Sequence, residues 1–262
     1  MYYAWGATNL VAPDARKISY SEMPKPALHV LFFKEAIDPA RLHGKIVIVL
    51  DILFATSTIA HVLALGAADV RLAYGEDDAY RLKASVEAPL LAGEWAADTI
   101  PGFAPATPLA LAERNVQGRN LIYASTNGTV ALLRASAAAQ VYAASLLNGA
   151  AVARHVAMAH PHASVLLVCA GSVGHFNLED SYGAGHLAMH LVAQRDYACS
   201  DAALAALRIR RGHESLEVLA ESRIGRMMQA RGLSDEVVFA ARTDTLDVVP
   251  AMGEGQRIRS VA

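Results

Sequence analysis

Ile46-Val47-Ile48-Val49-Leu50-Asp51-Ile52-Leu53-Phe54-Ala55-Thr56-Ser57-Thr58 decides the fold. Its first five residues are apolar and mostly β-branched, with no polar residue alternating among them. A strand with two buried faces reads this way, and parallel sheets covered by helices on both sides are built of such strands. The run stops at Asp51. Thr56 or Ser57 is well placed to cap a helix over Thr58 to Leu65, and Gly66 closes it.

The pattern recurs twice. Leu121-Ile122-Tyr123-Ala124 runs into Ser125-Thr126-Asn127-Gly128-Thr129. Val165-Leu166-Leu167-Val168 runs into Cys169-Ala170-Gly171-Ser172-Val173-Gly174-His175-Phe176-Asn177-Leu178-Glu179-Asp180. Further strands are expected at Val70–Ala73, Leu90–Glu94 and Val141–Ala143, and helices at Asp77–Val86, Thr129–Ala138, Gly149–Ala159 and Gly183–Val192. Strands alternating with helices predict an α/β fold, three-layer αβα, with a mostly parallel or mixed sheet. Segments 46–73 and 117–144 align weakly and hint at two related β-α-β units. The whole of 1–262 reads as one domain. Residues 1–28 are an irregular lead-in with room for one strand. The part from 201 to 262 is a C-terminal helical region, its charges forming a solvated face over 201–231. Late strands are expected at Val237–Ala240 and Val248–Pro250.

Composition narrows the function classes. The apolar share is 54%, too high for a disordered chain, though alanine inflates it. Net charge is −2 with no basic stripe, which speaks against a nucleic-acid partner. No stretch is uninterrupted enough to span a bilayer, and the first residues do not read as a secretory leader. The only cysteines are Cys169 and Cys199, no basis for a disulfide framework, so a reducing cytoplasmic setting is expected. Oligomeric state stays open, a homo-oligomer included.

Ligand sites of open α/β sheets lie at the carboxyl ends of the strands. Asp51 ends one strand, where it either caps the next turn or serves a ligand. Thr56, Ser57 and Thr58 add hydroxyls near a helix start, an arrangement that suits an anion. Ser125, Thr126, Asn127 and Thr129 repeat that logic, and Gly128 allows close backbone approach. Cys169-Ala170-Gly171 is another small-residue turn. A phosphatase thiolate would need an arginine where His175 stands, so Cys169 reads as a small buried residue at the site edge. Glu179 and Asp180 are adjacent carboxylates that either share a metal or cap a helix, and Glu94 is the natural third. Such oxygen ligands favour Mg²⁺. His186 and His190 have a zinc-compatible spacing but no marked third ligand. Phosphate-loop and dinucleotide fingerprints are absent, so ATP and NAD are not supported.

In their order, these segments resemble the 2-phosphosulfolactate phosphatase (ComB-like) family. The matching pieces are Val49–Ile59, Ala92-Gly93-Glu94, Ile100-Pro101-Gly102-Phe103, Ser125–Thr129, Ser145-Leu146-Leu147-Asn148, Cys169-Ala170-Gly171, Leu178-Glu179-Asp180, and Asp244 with Val249-Pro250. The resemblance implies an α/β phosphatase using Mg²⁺ on a small anionic phosphate ester in coenzyme M synthesis. It implies Asp51 and Glu179 as catalytic carboxylates and Asp51, Glu94 and Asp180 as metal ligands. Thr56, Ser57, Ser125, Thr126, Asn127, Gly128, Thr129, Cys169 and Gly171 would form the substrate pocket. Leu53 occupies the second position of an aspartyl-phosphate Asp-x-Asp motif, which favours direct attack by water.

The departures fall within the site-like segments. Family members usually carry arginine where this chain has Phe54 and where it has Trp95, and Gly-Asn-Ser-Pro where it has Pro105-Ala106-Thr107-Pro108. Losing an arginine removes a fixed charge and a bidentate fork. Arg119, Arg134, Arg154 and Arg242 are the candidates to compensate. The open alternatives are a member acting on a less anionic ester and a non-catalytic binder of a small anion.

Overall fold

The computed structural model describes residues 25–261. The lead-in expected over 1–28 therefore lies almost wholly outside the described residues. The strands are β1 (Ala27–Leu31), β2 (Ile46–Leu50), β3 (Asp69–Ala73), β4 (Leu90–Trp95), β5 (Asp98–Thr99), β6 (Asn120–Ala124), β7 (Gln140–Ala144), β8 (Val165–Cys169), β9 (Ala198–Cys199), β10 (Pro250–Gly253) and β11 (Arg257–Ser260). The helices are α1 (Ala55–Ala64), α2 (Glu76–Lys83), α3 (Pro108–Ala112), α4 (Gly128–Arg134), α5 (Gly149–Ala159), α6 (Leu178–Gln194), α7 (Asp201–Arg210), α8 (Ser215–Glu221), α9 (Arg223–Ala230) and α10 (Ser234–Ala240).

One mixed sheet runs β5-β4-β6-β3-β11-β10-β7-β2-β8-β1-β9. The β4, β6 and β3 strands are parallel, as are β7, β2, β8, β1 and β9. The antiparallel β10–β11 hairpin joins the two parallel sets. Both expected β-α-β units form, β2-α1-β3 and β6-α4-β7. They interlock: β2 pairs with β7, and β3 with β6.

All five residues of β2 are buried. Ile46, Ile48 and Leu50 pack with Val152 and Val156 of α5 and Leu187 and Leu191 of α6. Val47 and Val49 pack with Ile59 and Val62 of α1 and Leu132 of α4 on the other face. Two apolar layers on one strand are the physical content of the three-layer reading. Each such side chain contributes roughly 1.5–3 kcal/mol over its exposed state. No helix among the described residues is long and apolar enough to cross a membrane.

Three expectations fail or shift in the C-terminal region: the strand expected at Val248–Pro250 begins only at Pro250 and runs to Gly253. Val237–Ala240 is not a strand but most of α10. The helix expected through 201–231 is three helices, broken at Gly212, whose φ is +78°, and at Ser222, which caps α9 through the Gly225 amide. The start of α1 also differs. Phe54 is its N-cap residue and caps with no side chain, while Thr56 and Ser57 lie inside the helix.

Candidate functional site

Parallel pairing aligns Leu50 of β2 with Cys169 of β8, and Gly93 of β4 with Ala124 of β6. Asp51, Gly171, Glu94 and Ser125 follow these ends. The three polar turns do converge: Asp51, the Ser125–Asn127 turn and Gly171–Val173 line one cavity of about 490 Å³, together with Glu94. Gly128 brings the second turn against the first. A Cβ built there would stand 2.4 Å from Ala55 Cβ and 2.5 Å from Asp51 Oδ2. Gly128→Ala must therefore displace the Asp51 carboxylate. It is expected to lose roughly 1–3 kcal/mol of stability, read by urea unfolding, as overpacked sites do.

The carboxylates divide by position. Asp51 keeps part of its surface open to the cavity. Its carboxyl is pushed up to about 7, chiefly by burial and then by the charges of Glu94 and Glu179, against the pull of the Ala55 amide and Lys34. Glu94 is held as an acceptor by the Thr126 amide at 2.6 Å, the Thr126 hydroxyl at 2.9 Å and the Ala97 amide at 2.8 Å. Asp180, in the first turn of α6, does not line the cavity. Its oxygens accept from the Ile52 amide at 2.9 Å and the Gly171 amide at 3.0 Å, so it ties the end of β2 to the end of β8. Burial first, then Asp51 and Glu179, hold its carboxyl well above the usual range. Glu179 is 1% exposed, with Ser222 and Arg223 beside it, and burial raises its carboxyl too. Asp51 and Glu94 are thus the pair the cavity offers to a metal, and Asp180 and Glu179 stand behind them.

Several expected pocket residues turn inward. Thr56 Oγ1 bonds the Asp51 carbonyl and Ser57 Oγ the Ile52 carbonyl, both at 2.9 Å, and Thr58 Oγ1 reaches the Ala106 carbonyl. Thr56 and Ser57 thus build the β2–α1 turn, Thr58 ties α1 to the segment before α3, and none of the three lines the cavity. Thr129 pairs with Ser125, its amide donating to Ser125 Oγ at 2.9 Å. Cys169 is sealed at the end of β8, and burial, then Asp180, drives its thiol well up. Gly171 lies on the cavity wall with φ +63°. A Cβ there would meet the His175 carbonyl and Phe33 Cβ at 2.8 Å.

Phe54 is 7% exposed and lines the cavity, whereas Trp95 points away, 61% exposed. Of the two positions where arginine was expected, only Phe54 bears on the pocket. None of Arg119, Arg134, Arg154 and Arg242 lines it; the arginine on its wall is Arg223, whose guanidinium donates to Asn177 Oδ1 at 3.2 Å. Lys34, 5% exposed, is a second cation missed in the sequence. Its Nζ donates to Asn127 Oδ1 at 2.7 Å and pairs with Glu35 at 3.0 Å. The rule that flagged Asp51 would have flagged Lys34, which closely follows the end of β1. Nothing local distinguished Arg223 from its charged helical neighbours.

The pair His186 and His190 acquires a third member from 54 residues away. Asp244 Oδ1 lies 3.1 Å from His186 Nε2 and Oδ2 lies 2.9 Å from His190 Nε2, all ligand atoms within 4.8 Å of one another. Arg210 Nε stands 3.5 Å from His186 Nδ1, a donor where a metal-bound histidine needs an acceptor. The Ala150 amide also donates to Asp244 Oδ1, at 2.8 Å. The group closes as a hydrogen-bonded latch outside the cavity.

A model of the 2-phosphosulpholactate phosphatase family matches residues 31–255. A protein of Deinococcus radiodurans is 37% identical over 223 residues, 84% of this chain and 92% of the relative. One from Symbiobacterium thermophilum is 35% identical over 229 residues, 84% and 97%, and one from Carboxydothermus hydrogenoformans is 34% identical over 223 residues, 85% and 92%. All three bear the name "Probable 2-phosphosulfolactate phosphatase". With a match of that extent, and relatives similar along nearly their whole length, the chain belongs to the 2-phosphosulfolactate phosphatase family.

Proposed function

We propose that the chain is a Mg²⁺-dependent phosphomonoesterase, and that 2-phosphosulfolactate, named for its relatives, is the first ester to assay. The observation that carries this reading is the Asp51 carboxyl, pushed to about 7 beside Glu94 while open to a cavity they share. Crowded oxygen donors of like charge are unfavourable until a cation enters, and an all-oxygen set suits Mg²⁺. Asp51 and Glu94 are the residues that would hold the ion. When bound, Mg²⁺ supplies charge stabilisation to a transferring phosphoryl group.

The chain's own residues do the rest. Thr126 and Ala97 fix Glu94, and the Lys34 ammonium fixes Asn127, so the polar side of the cavity needs little reorganisation. Arg223 offers the nearby positive charge, steadied by Asn177 and facing Glu179. Leu53 and Phe54 line the wall beside Asp51 and help keep bulk water out. Water attacks phosphorus, the bond from phosphorus to the ester oxygen breaks, and the proton ends on the released alcohol, giving alcohol plus inorganic phosphate. Phosphate release from 2-phosphosulfolactate with Mg²⁺, and its loss on chelation with EDTA, is the expected result. No release from any ester of a broad panel by folded protein overturns the reading.

A further inference from the structure

We propose that Lys34 is a positioning residue: it holds the Asn127 oxygen, so that Asn127 meets the phosphate of the ester with its side-chain NH₂ group. The inference rests on the phosphomonoesterase reading and adds to it how one wall of the cavity is oriented.

A carboxamide has one accepting arm and one donating arm of nearly the same shape, and the partner decides which arm faces it. Asn127 lines the cavity. Its oxygen accepts from Lys34 Nζ at 2.7 Å and from the Val173 amide at 3.4 Å. An ammonium and a backbone N–H only donate, so Oδ1 is committed to both and Nδ2 is the arm left for the cavity. A cation fixes this more firmly than a neutral donor could. A bond accepted from it is stronger, and it polarises the N–H bonds at the other end of the amide.

The place of Lys34 in the fold suits the task. It follows β1 in the single helical turn Lys34–Ala36, is 5% exposed, and its amide donates to the Ala170 carbonyl at 3.3 Å. One residue therefore grips the turn after β8 with its backbone and the turn after β6 with its side chain. Asn127 in turn precedes Gly128, the residue packed against the Asp51 carboxylate. The donor that Lys34 orients thus stands beside the proposed ion site, where phosphate oxygens would come. An ammonium so deeply buried is unfavourable unless partners answer it, and Asn127 and Glu35 do.

The same construction occurs a second time. Asn127 and Asn177 are the N-cap residues of α4 and α6, a position where asparagine commonly accepts from the helix's own amides. Neither side chain does so. Asn177 Oδ1 accepts instead from the Arg223 guanidinium at 3.2 Å, another group with donors alone. Both asparagines line the cavity, and both have exchanged a cap for a cation. A purely structural asparagine gains nothing from that exchange; a donor aimed at an anion does.

The test is a double-mutant cycle on the full chain with Mg²⁺, read by calorimetric titration with inorganic phosphate, the product of the proposed reaction. Asn127→Ala is expected to weaken phosphate binding by roughly ten-fold or more, the scale of a hydrogen bond to a charged group. Lys34→Met is expected to weaken it by a similar factor, and the double variant no further than Asn127→Ala alone, because Lys34 acts through Asn127. Lys34→Arg keeps a donor-only group and is expected to retain most of the affinity. In the unmutated chain, the Asn127 NH₂ signals of a nitrogen–proton correlation spectrum, identified by their loss in Asn127→Ala, should move as phosphate is added. That reading stands even if Lys34→Met fails to fold. Losses that multiply in the double variant, unchanged affinity in Asn127→Ala, or NH₂ signals that stay fixed each overturn the inference. Absence of phosphate binding by the unmutated folded chain overturns it too. The expected binding pattern without turnover of any ester overturns the phosphomonoesterase reading alone.

Discussion

If Mg²⁺ is held as proposed, Asp51→Asn is expected to lower Mg²⁺-dependent turnover by roughly 10³-fold, because it would remove a metal ligand and the charge that would hold the ion against the phosphoryl group. The same substitution changes proton linkage. In the metal-free chain burial, with Glu94 and Glu179, pushes the Asp51 carboxyl up to about 7. A proton then competes with the cation. Mg²⁺ affinity is expected to rise about ten-fold per pH unit up to about pH 7 and level off above it. Stability moves the other way. A carboxyl raised from about 4 in the unfolded chain is penalised when charged, so the metal-free protein loses stability as pH rises from about 4 through about 7. Asn carries no such penalty. With EDTA at pH 8, Asp51→Asn is expected to be more stable than the unmutated chain, by up to roughly 4 kcal/mol. Isothermal titration with Mg²⁺ across pH and urea unfolding with EDTA read the two effects. Unchanged Mg²⁺ affinity in the variant would remove Asp51 from the metal site.

The parts of this molecule that were legible in its sequence are those fixed by local chemistry. Ile46–Leu50 read as a strand buried on both sides, since its five apolar residues are mostly β-branched and leave no polar face. The turns after β2 and β8 had to gather at one edge, because those strands are parallel neighbours, whereas the turn after β6 belongs to the other parallel set and meets them only in the folded chain, Gly128 against Asp51. Direction within a turn was not legible. Thr56 and Ser57 look the same in sequence whether a hydroxyl faces a ligand or the carbonyls of Asp51 and Ile52. Asp180 likewise looks like a ligand until its two oxygens are seen to hold Ile52 and Gly171. Val237–Ala240 misled because a four-residue apolar run has no period that separates strand from helix. The outcome there depends on tertiary packing. Val237 and Ala240 join the core cluster that also holds β2, α5 and α6, while Glu236 accepts from the Leu109 and Ala110 amides at the start of α3.

The latch at Asp244 was out of reach for a different reason. The i,i+4 spacing of His186 and His190 on α6 could be read, but their partner arrives by chain reversal through four later helices. Family resemblance marked Asp244 without a role. In the structure the segment around it is bound twice more by backbone, the Asp244 amide to the Leu146 carbonyl at 2.8 Å and the Leu246 amide to Leu147 at 2.9 Å. Asn148 Nδ2 adds a bond to the Val248 carbonyl. The Ser145–Asn148 motif and Asp244 therefore belong to one construction, which fastens the run between α10 and β10 onto α5 and α6.

Asp244→Asn isolates the charge in that construction, since asparagine tolerates the residue's φ of +54°. One side of the amide becomes a donor and must face a histidine or the Ala150 amide. Hydrogen bonds to charged groups contribute about 1.5–3 kcal/mol, so a loss of roughly 2–3 kcal/mol is expected. In a chain of this size that lowers Tm by roughly 5–10 °C. Burial would raise the Asp244 carboxyl, but hydrogen bonds from His186 and His190 outweigh it and hold the carboxyl well below the usual range. A depressed carboxyl stabilises the fold above its unfolded value, near 4, and that contribution drains away as pH falls below it. The gap between the unmutated chain and the variant should therefore be widest above pH 4 and shrink steadily under it. Mg²⁺-dependent turnover should persist in the variant at temperatures where it stays folded, because Asp244 does not line the cavity. A constant gap from pH 3 to pH 7 would mean that shape rather than charge holds the latch, and lost turnover in folded protein would mean the latch also sets the geometry of the site.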